Sequence, residues 1–258
     1  MADDPKRIVE QGYDTIAARF GAWRAAIVGS PDHEWLAELL DVLPEQANIL
    51  ELGCGQGLAA RRLVEAGHGY TGVDISAEQL RHARSLVPDT EFRHGDVTKI
   101  ELDAESLDAV VSLYVFGHLP RADLPGLLER IAAALRPGGC LLATFARSGA
   151  EGVQEDWLGV PMFFGSYTDP ETLTLLGDAG LEIERAQVVS IVEPEEGDAR
   201  FLWVLARKPL GRAGASAQVA SRAGRSPRAS CTAAPATART RSAARASPNM
   251  SRCRLIHS

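Results

Sequence analysis

The stretch Ile49-Leu50-Glu51-Leu52-Gly53-Cys54-Gly55-Gln56-Gly57-Leu58 constrains this chain most. A short apolar run ends in three glycines at alternate positions, and the apolar-faced segment Ala59 to Val64 follows at once. That order reads as a buried strand, a tight turn and the start of a helix. Glycine adopts positive φ without steric cost and lets the backbone approach a ligand closely. The N–H groups at a helix start have no partner in the helix and receive a carboxylate or phosphate. A nucleotide-like ligand above the carboxyl end of the first strand of an open α/β sheet is therefore expected.

The dinucleotide fingerprint Gly-x-Gly-x-x-Gly is not met, because its third glycine position is Leu58. The spacing is Gly-x-Gly-x-Gly instead. Glu51, two residues before the first glycine, offers a carboxylate to an ammonium group. These residues resemble motif I of the class I S-adenosylmethionine-dependent methyltransferases. The resemblance implies an α/β fold: a Rossmann-like, doubly wound sheet of seven strands. It would be mostly parallel, with an antiparallel C-terminal hairpin and helices on both faces. It also implies S-adenosylmethionine as co-substrate and no metal. The methionine part of that ligand would lie against Glu51 and the loop Gly53, Cys54, Gly55 and Gly57.

Further stretches extend the likeness over Tyr13 to Lys208. Asp74 ends the predicted second strand, Tyr70–Val73, about 20 residues beyond the glycines, the spacing at which an acidic residue reaches ribose hydroxyls. Ile75 adjoins it. Ser76 is placed to cap the next helix, with Gln79 positioned for a capping box. After a third short strand, Thr90–Arg93, Asp96 and Val97 match the pair that binds adenine in the family. The apolar strand Leu107–Leu113 runs into Tyr114-Val115-Phe116-Gly117-His118-Leu119-Pro120, which resembles motif IV. Ser112 and Leu113 would then lie beside the sulfur-bearing arm, with Tyr114 and Phe116 facing the acceptor. His118 is the one histidine of that loop, and an unperturbed pKa of about 6.5 suits a general base. Arg136-Pro137-Gly138-Gly139 before the strand Cys140–Phe145 resembles the turn that ends the next helix in this family.

Two helices over residues 5–43 form a cap on a domain spanning 1–208. In the first, Tyr13-Asp14-x-Ile16-Ala17-x-x-Phe20-x-x-Trp23 resembles the helix whose aromatics cover the cofactor, and Tyr13 joins the cofactor residues. Arg147 to Gly165 shows no regular period. Its aromatic end predicts a lid or ligand wall, with Met162, Phe163, Phe164 and Tyr167 against the acceptor. A helix over Asp169–Ala179 and a hairpin of Leu181–Val192 and Ala199–Arg207 complete the domain.

Charge sharpens the partner class. Of 27 lysines and arginines, nine are arginines within Pro209–Ser258, which has no acidic residue, so all 34 acidic groups face 18 basic ones before it. An acidic main domain argues against nucleic acid, which needs basic groups at phosphates, and favours a small-molecule acceptor. The tail, Arg/Ala/Ser/Pro-rich without apolar period, is expected to be disordered. Cys54, Cys140, Cys231 and Cys253 form no metal-ligand spacing, and no apolar run suffices for a membrane span, so a cytoplasmic protein is expected. Oligomeric state is not encoded in any of these features. The expected reaction is methyl transfer to an oxygen or nitrogen of a small molecule. The arginine-over-lysine bias suggests a GC-rich genome and a role in antibiotic or other specialised-metabolite biosynthesis. A protein or RNA methyltransferase, and a non-catalytic regulatory protein binding the same ligand, are the competing expectations.

Overall fold

The computed structural model describes residues 4–211. The tail expected to be disordered lies outside the described residues from 212 onward. The chain builds α1 (Pro5–Ala25), α2 (Asp32–Val42), β1 (Asn48–Leu52), α3 (Leu58–Glu65), β2 (Gly69–Asp74), α4 (Ala77–Leu86) and β3 (Glu91–His94). It continues through β4 (Leu107–Ser112), α5 (Leu124–Ala134), β5 (Leu135–Phe145), β6 (Glu151–Trp157) and β7 (Val160–Gly165). It closes with α6 (Asp169–Asp178), β8 (Glu182–Glu193) and β9 (Gly197–Arg207).

Seven strands form one sheet in the order β3-β2-β1-β4-β5-β9-β8. The first five pair in parallel, and β9 is antiparallel to both β5 and β8. The expected seven-stranded sheet with its C-terminal hairpin is thus present. Strand order reverses between β1 and β4, so the crevice at their carboxyl ends is the place where such sheets receive ligands.

Strand alternation sorts the side chains to the two faces. Leu50, Leu52, Val110, Leu141 and Ala143 pack under α5 and α6. Ile49, Ala109, Val111, Cys140 and Leu142 pack under α2, α3 and α4, around the Trp35–Trp203 pair, whose ring centroids are 5.6 Å apart. A third cluster joins Val9 and Ile16 of α1 to Trp157, Val160, Met162 and Phe163.

That third cluster departs from expectation. The stretch expected to lack regular structure is an antiparallel hairpin, β6–β7, reversed at Leu158 and Gly159, both with positive φ. Six of the seven β6 residues are exposed, so no apolar alternation announces the strand. Its pairing with β7 and the seating of β7 on α1 are tertiary. After β4, Arg121–Asp123 forms a short 3-10 turn that leads into α5.

Trp203 is fully buried in the central core. Trp203→Ala is expected to cost about 3–5 kcal/mol of unfolding free energy, since the pocket cannot collapse around the loss. Denaturant-induced unfolding of both proteins measures it.

Candidate functional site

β1 ends at Leu52, and the next two N–H groups, of Gly53 and Cys54, both donate to the Val73 carbonyl of β2, at 2.7 and 3.0 Å. The turn then bends back toward β2. Gly53 and Gly55 have φ of +70° and +50°. A Cβ on Gly53 would lie 2.1 Å from Val115 Cγ2, whereas one on Gly55 would meet nothing within 4 Å. Gly53 is therefore demanded by packing, and Gly55 by the space it leaves for a ligand. Gly57, at φ +81°, starts α3.

Asp74 fastens this turn. The Gly55 N–H donates to Asp74 Oδ2 at 2.8 Å, and the Ser76 N–H donates to Oδ1 at 2.9 Å. Burial raises the Asp74 carboxyl above its ordinary value, while those two N–H groups pull it back. Ser76 caps α4, its hydroxyl accepting from the Gln79 N–H. The expected capping box is incomplete: the Gln79 amide is 1% exposed and both its polar atoms lack a partner. A buried amide without partners costs roughly 1–3 kcal/mol per group, and Gln79 lines the cavity, so its amide is available to a ligand.

The cavity has a volume of about 440 Å³. Its floor is the strand ends: Glu51, Gly53, Cys54, Gly55, Asp74 and Ile75. Asp96, Val97, Leu113, Tyr114 and His118 form one side, and Tyr13, Phe20 and Arg24 of α1 cover it. Burial pushes the Glu51 carboxyl up to about 8, against a hydrogen bond donated by Tyr70 to Oε2; the charges of Asp74 and Asp32 add to the rise. Asp96 is held below the ordinary carboxylate range: burial opposes ionisation, but hydrogen bonds from Thr98 and the Lys6 ammonium outweigh it. Lys6 Nζ sits 3.2 Å from Asp96 and 2.8 Å from Asp123, pinning the start of α1 beside the cavity.

His118 joins three elements. Its Nδ1 lies 2.9 Å from the Phe163 carbonyl, which can only accept, so Nδ1 carries the proton. Its Nε2 lies 2.9 Å from the Tyr13 hydroxyl and accepts from it. Burial lowers the His118 pKa to about 4. Both ring nitrogens are engaged and the ring is neutral at pH 7. The ordinary basicity on which the general-base expectation rests is absent, and the geometry is that of an anchor between α1 and β7.

Other expected residues lie elsewhere. Ser112 is fully buried and donates to the Leu52 carbonyl at 3.3 Å, beneath the cavity rather than in its wall. Phe116 turns into the core against Phe145, with centroids 5.3 Å apart. Met162 and Phe163 face α1 in the third cluster. The Tyr167 hydroxyl donates to the Arg121 carbonyl and its ring lies under the Arg121 guanidinium, away from both cavities. The aromatic-rich end of the 147–167 stretch points to Met162, Phe163 and Tyr167, and the likeness to motif IV points to Phe116, but neither pattern says which face a side chain takes. Phe164 does line a second cavity, of about 250 Å³, which shares Tyr13, Phe20, Arg24, Tyr114 and His118 with the first.

Sequence reasoning missed Lys6, Arg24, Gln56 and Asp32. Arg24 pairs with Asp32 and stacks on the Tyr114 ring, and the Gln56 amide donates to the Ala17 carbonyl of α1 at 2.8 Å. Their partners are distant in sequence, so no local pattern marks them. Tyr114 itself has φ +64°, a strained conformation for a bulky residue, held by its N–H donating to Thr144 Oγ1. Among the described residues no group of three His, Cys, Asp or Glu is arranged to hold a metal, and no helix is long and apolar enough to cross a membrane.

Residues 49–139 match a family described as a methyltransferase domain. The chain is 32% identical over 100 residues to a dTDP-3-amino-3,6-dideoxy-alpha-D-glucopyranose N,N-dimethyltransferase of Streptomyces fradiae, covering 38% of this chain and 39% of that one. It is 35% identical over 100 residues to a phthiotriol/phenolphthiotriol dimycocerosates methyltransferase of Mycobacterium leprae, covering 36% and 35%. The match thus spans under two-fifths of the length of these two relatives. Among solved structures, a SAM-dependent methyltransferase from Methanosarcina mazei aligns with a TM-score of 0.58 at 21% identity, over 66% of this chain and 96% of that one. The 1,6-didemethyltoxoflavin-N1-methyltransferase of Burkholderia thailandensis aligns with a TM-score of 0.58 at 21% identity, over 77% and 85%. The two structures share the fold. The family match, which holds the glycine turn, identifies residues 49–139 as a methyltransferase domain, and the two structures show that the fold is the one shared with class I S-adenosylmethionine-dependent methyltransferases.

The two glycines separate packing from ligand space. Gly53→Ala is expected to destabilise the fold by more than the roughly 1–2 kcal/mol of left-handed strain alone, because Val115 must move. Gly55→Ala is expected to cost only that strain, while obstructing the cavity. Unfolding curves and calorimetric ligand titration of both variants measure the difference.

Proposed function

We propose that the protein transfers a methyl group from S-adenosylmethionine to an oxygen or nitrogen of a small molecule. The observation that carries this reading is the buried Glu51 beside the open Gly55 turn, with Asp74 one strand over. Bound there, the sulfonium supplies a methyl group already activated by its positive charge. Glu51 is the carboxylate facing the ligand's ammonium group, and Asp74 with the Gln79 amide faces its ribose. Asp96 and Val97 are assigned to adenine, and Leu113 to the sulfur-bearing arm. As the acceptor lone pair bonds to the methyl carbon, the carbon–sulfur pair returns to sulfur, which becomes a neutral thioether, and the proton then shed by the acceptor passes to bulk solvent. The chain's part is to align the reactants and exclude water, for which positioning alone is worth roughly 7–11 kcal/mol. His118 is a positioning residue: it holds Tyr13 and β7 at the boundary of the two cavities.

Both relatives above are named for small-molecule acceptors, one an amino sugar nucleotide, and the acidic main domain agrees with an acceptor of that size. A place in antibiotic or other specialised-metabolite biosynthesis is part of the proposal, as is a cytoplasmic location. Methylation of protein or RNA, or ligand binding without catalysis, finds no specific support in the site.

Calorimetric titration with S-adenosylmethionine, S-adenosylhomocysteine and NADH tests the reading. The adenosyl ligands are expected to bind and NADH is not; NADH binding alone would overturn the assignment. Binding should also release protons at pH 7. With its pKa near 8, Glu51 is mostly protonated in the free protein, and a ligand ammonium favours the ionised form. Affinity should therefore rise with pH toward about 8 and fall again at higher pH, where the ligand's ammonium loses its proton. Titrations in buffers of different ionisation enthalpy read the proton count, and Glu51→Gln should abolish it.

Turnover of an acceptor identified by screening should show no inflection near pH 6.5 from His118. An inflection there that vanishes in His118→Gln would restore the general-base role.

A further inference from the structure

The smaller cavity has a character of its own. α1 contributes Phe20 and Trp23, the β6–β7 hairpin contributes Trp157 and Phe164, and β9 contributes Phe201. Its remaining wall is the β8–β9 turn, with Glu193, Glu196 and Asp198. That turn is docked on α1: the Trp23 indole N–H donates to the Pro194 carbonyl at 2.9 Å, and Val28 bridges to Val192.

Several polar side chains of the cavity are already engaged. The Tyr13 hydroxyl is bonded to His118, and the Tyr114 hydroxyl lies 2.9 Å from Ser30 Oγ and donates to Asp32. Thr144 receives the Tyr114 N–H. Arg24, the one cation in the wall among the described residues, is paired with Asp32 and stacked on Tyr114. Glu196 receives one long hydrogen bond from Gln154. Among the described residues no cation lies within ion-pair distance of Glu193, which is half-buried. Burial and the neighbouring Glu196 raise its carboxyl, and the charge of Arg24, which makes no ion pair with it, offsets them only in part. Aromatic faces also attract a cation, so walls and rim favour the same ligand charge.

We infer that this second cavity is the acceptor pocket and that it selects a molecule with flat apolar surface bearing a cationic amine, received by Glu193. The inference rests on the methyltransferase reading and adds the acceptor's chemical class. An anionic acceptor meets three carboxylates at the rim, and a neutral one leaves Glu193 unpaired.

The test uses the full chain saturated with S-adenosylhomocysteine. Phenethylamine, phenethyl alcohol and hydrocinnamate, which present one ring with a cationic, neutral or anionic end, are titrated calorimetrically. Phenethylamine is expected to bind about tenfold more tightly than the alcohol, the scale of a charge-assisted contact at a partly buried site, and hydrocinnamate weakest. Glu193→Gln should erase the preference for the amine while leaving S-adenosylhomocysteine affinity within about twofold, since Glu193 lines only the second cavity. Equal affinities, a preference for the acid, no binding of any probe at millimolar concentration, or an unchanged preference in Glu193→Gln would each overturn the cationic acceptor alone. Failure of S-adenosylhomocysteine to bind would overturn the methyltransferase reading and this inference with it.

Discussion

The Asp74 carboxylate is the contact on which the site depends. It ends β2, and its two oxygens receive N–H groups from the Gly55 turn after β1 and from Ser76 at the start of α4. One buried side chain thus fixes two adjacent strand ends and the helix that follows. Its environment opposes its charge, and the two N–H groups offset that opposition. With the turn held, Glu51 stays 4% exposed below the cavity while Gly55 leaves open space above it. The rigidity suits the proposed reaction, since methyl transfer asks for alignment more than for acid–base chemistry.

Over this floor, α1 acts as the cover. It is tied down along its length by contacts of different kinds: Lys6 to Asp96 and Asp123, Asp14 to Ser76, Tyr13 to His118, and Trp23 to Pro194. Two of these partners, Asp96 and His118, sit in the cavity wall itself, and His118 with Tyr13 also lines the second cavity. His118 illustrates the consequence. Its burial removes basicity and gives it two fixed hydrogen bonds, so it holds the cover and the β6–β7 hairpin in one geometry.

The sheet and its ligand crevice were legible in the sequence because their signals are local. Gly53, Gly55 and Gly57 mark a turn whose backbone only glycine adopts easily, and Asp74 follows at a strand's length plus a helix. The apolar runs of β1 and β4 and the glycine pair at 138–139 likewise belong to single segments. The β6–β7 hairpin was not legible, because β6 is nearly all exposed and takes its order from its partner strand.

Sequence by itself determined the turn and the residues of the crevice floor, since backbone conformation acts over a few residues, and it carried the fold class through the likeness of its motifs to a known family. Tertiary structure alone decided which aromatics face a cavity. Phe116 and Tyr167 turn away while Phe164 and Tyr114 turn toward the cavities, because each side chain's direction follows from the neighbours it packs against. It also decided the charge around His118 and the arrival of Glu193 at the second cavity. Both follow from burial and from contacts across more than 40 residues of chain, which no local pattern records.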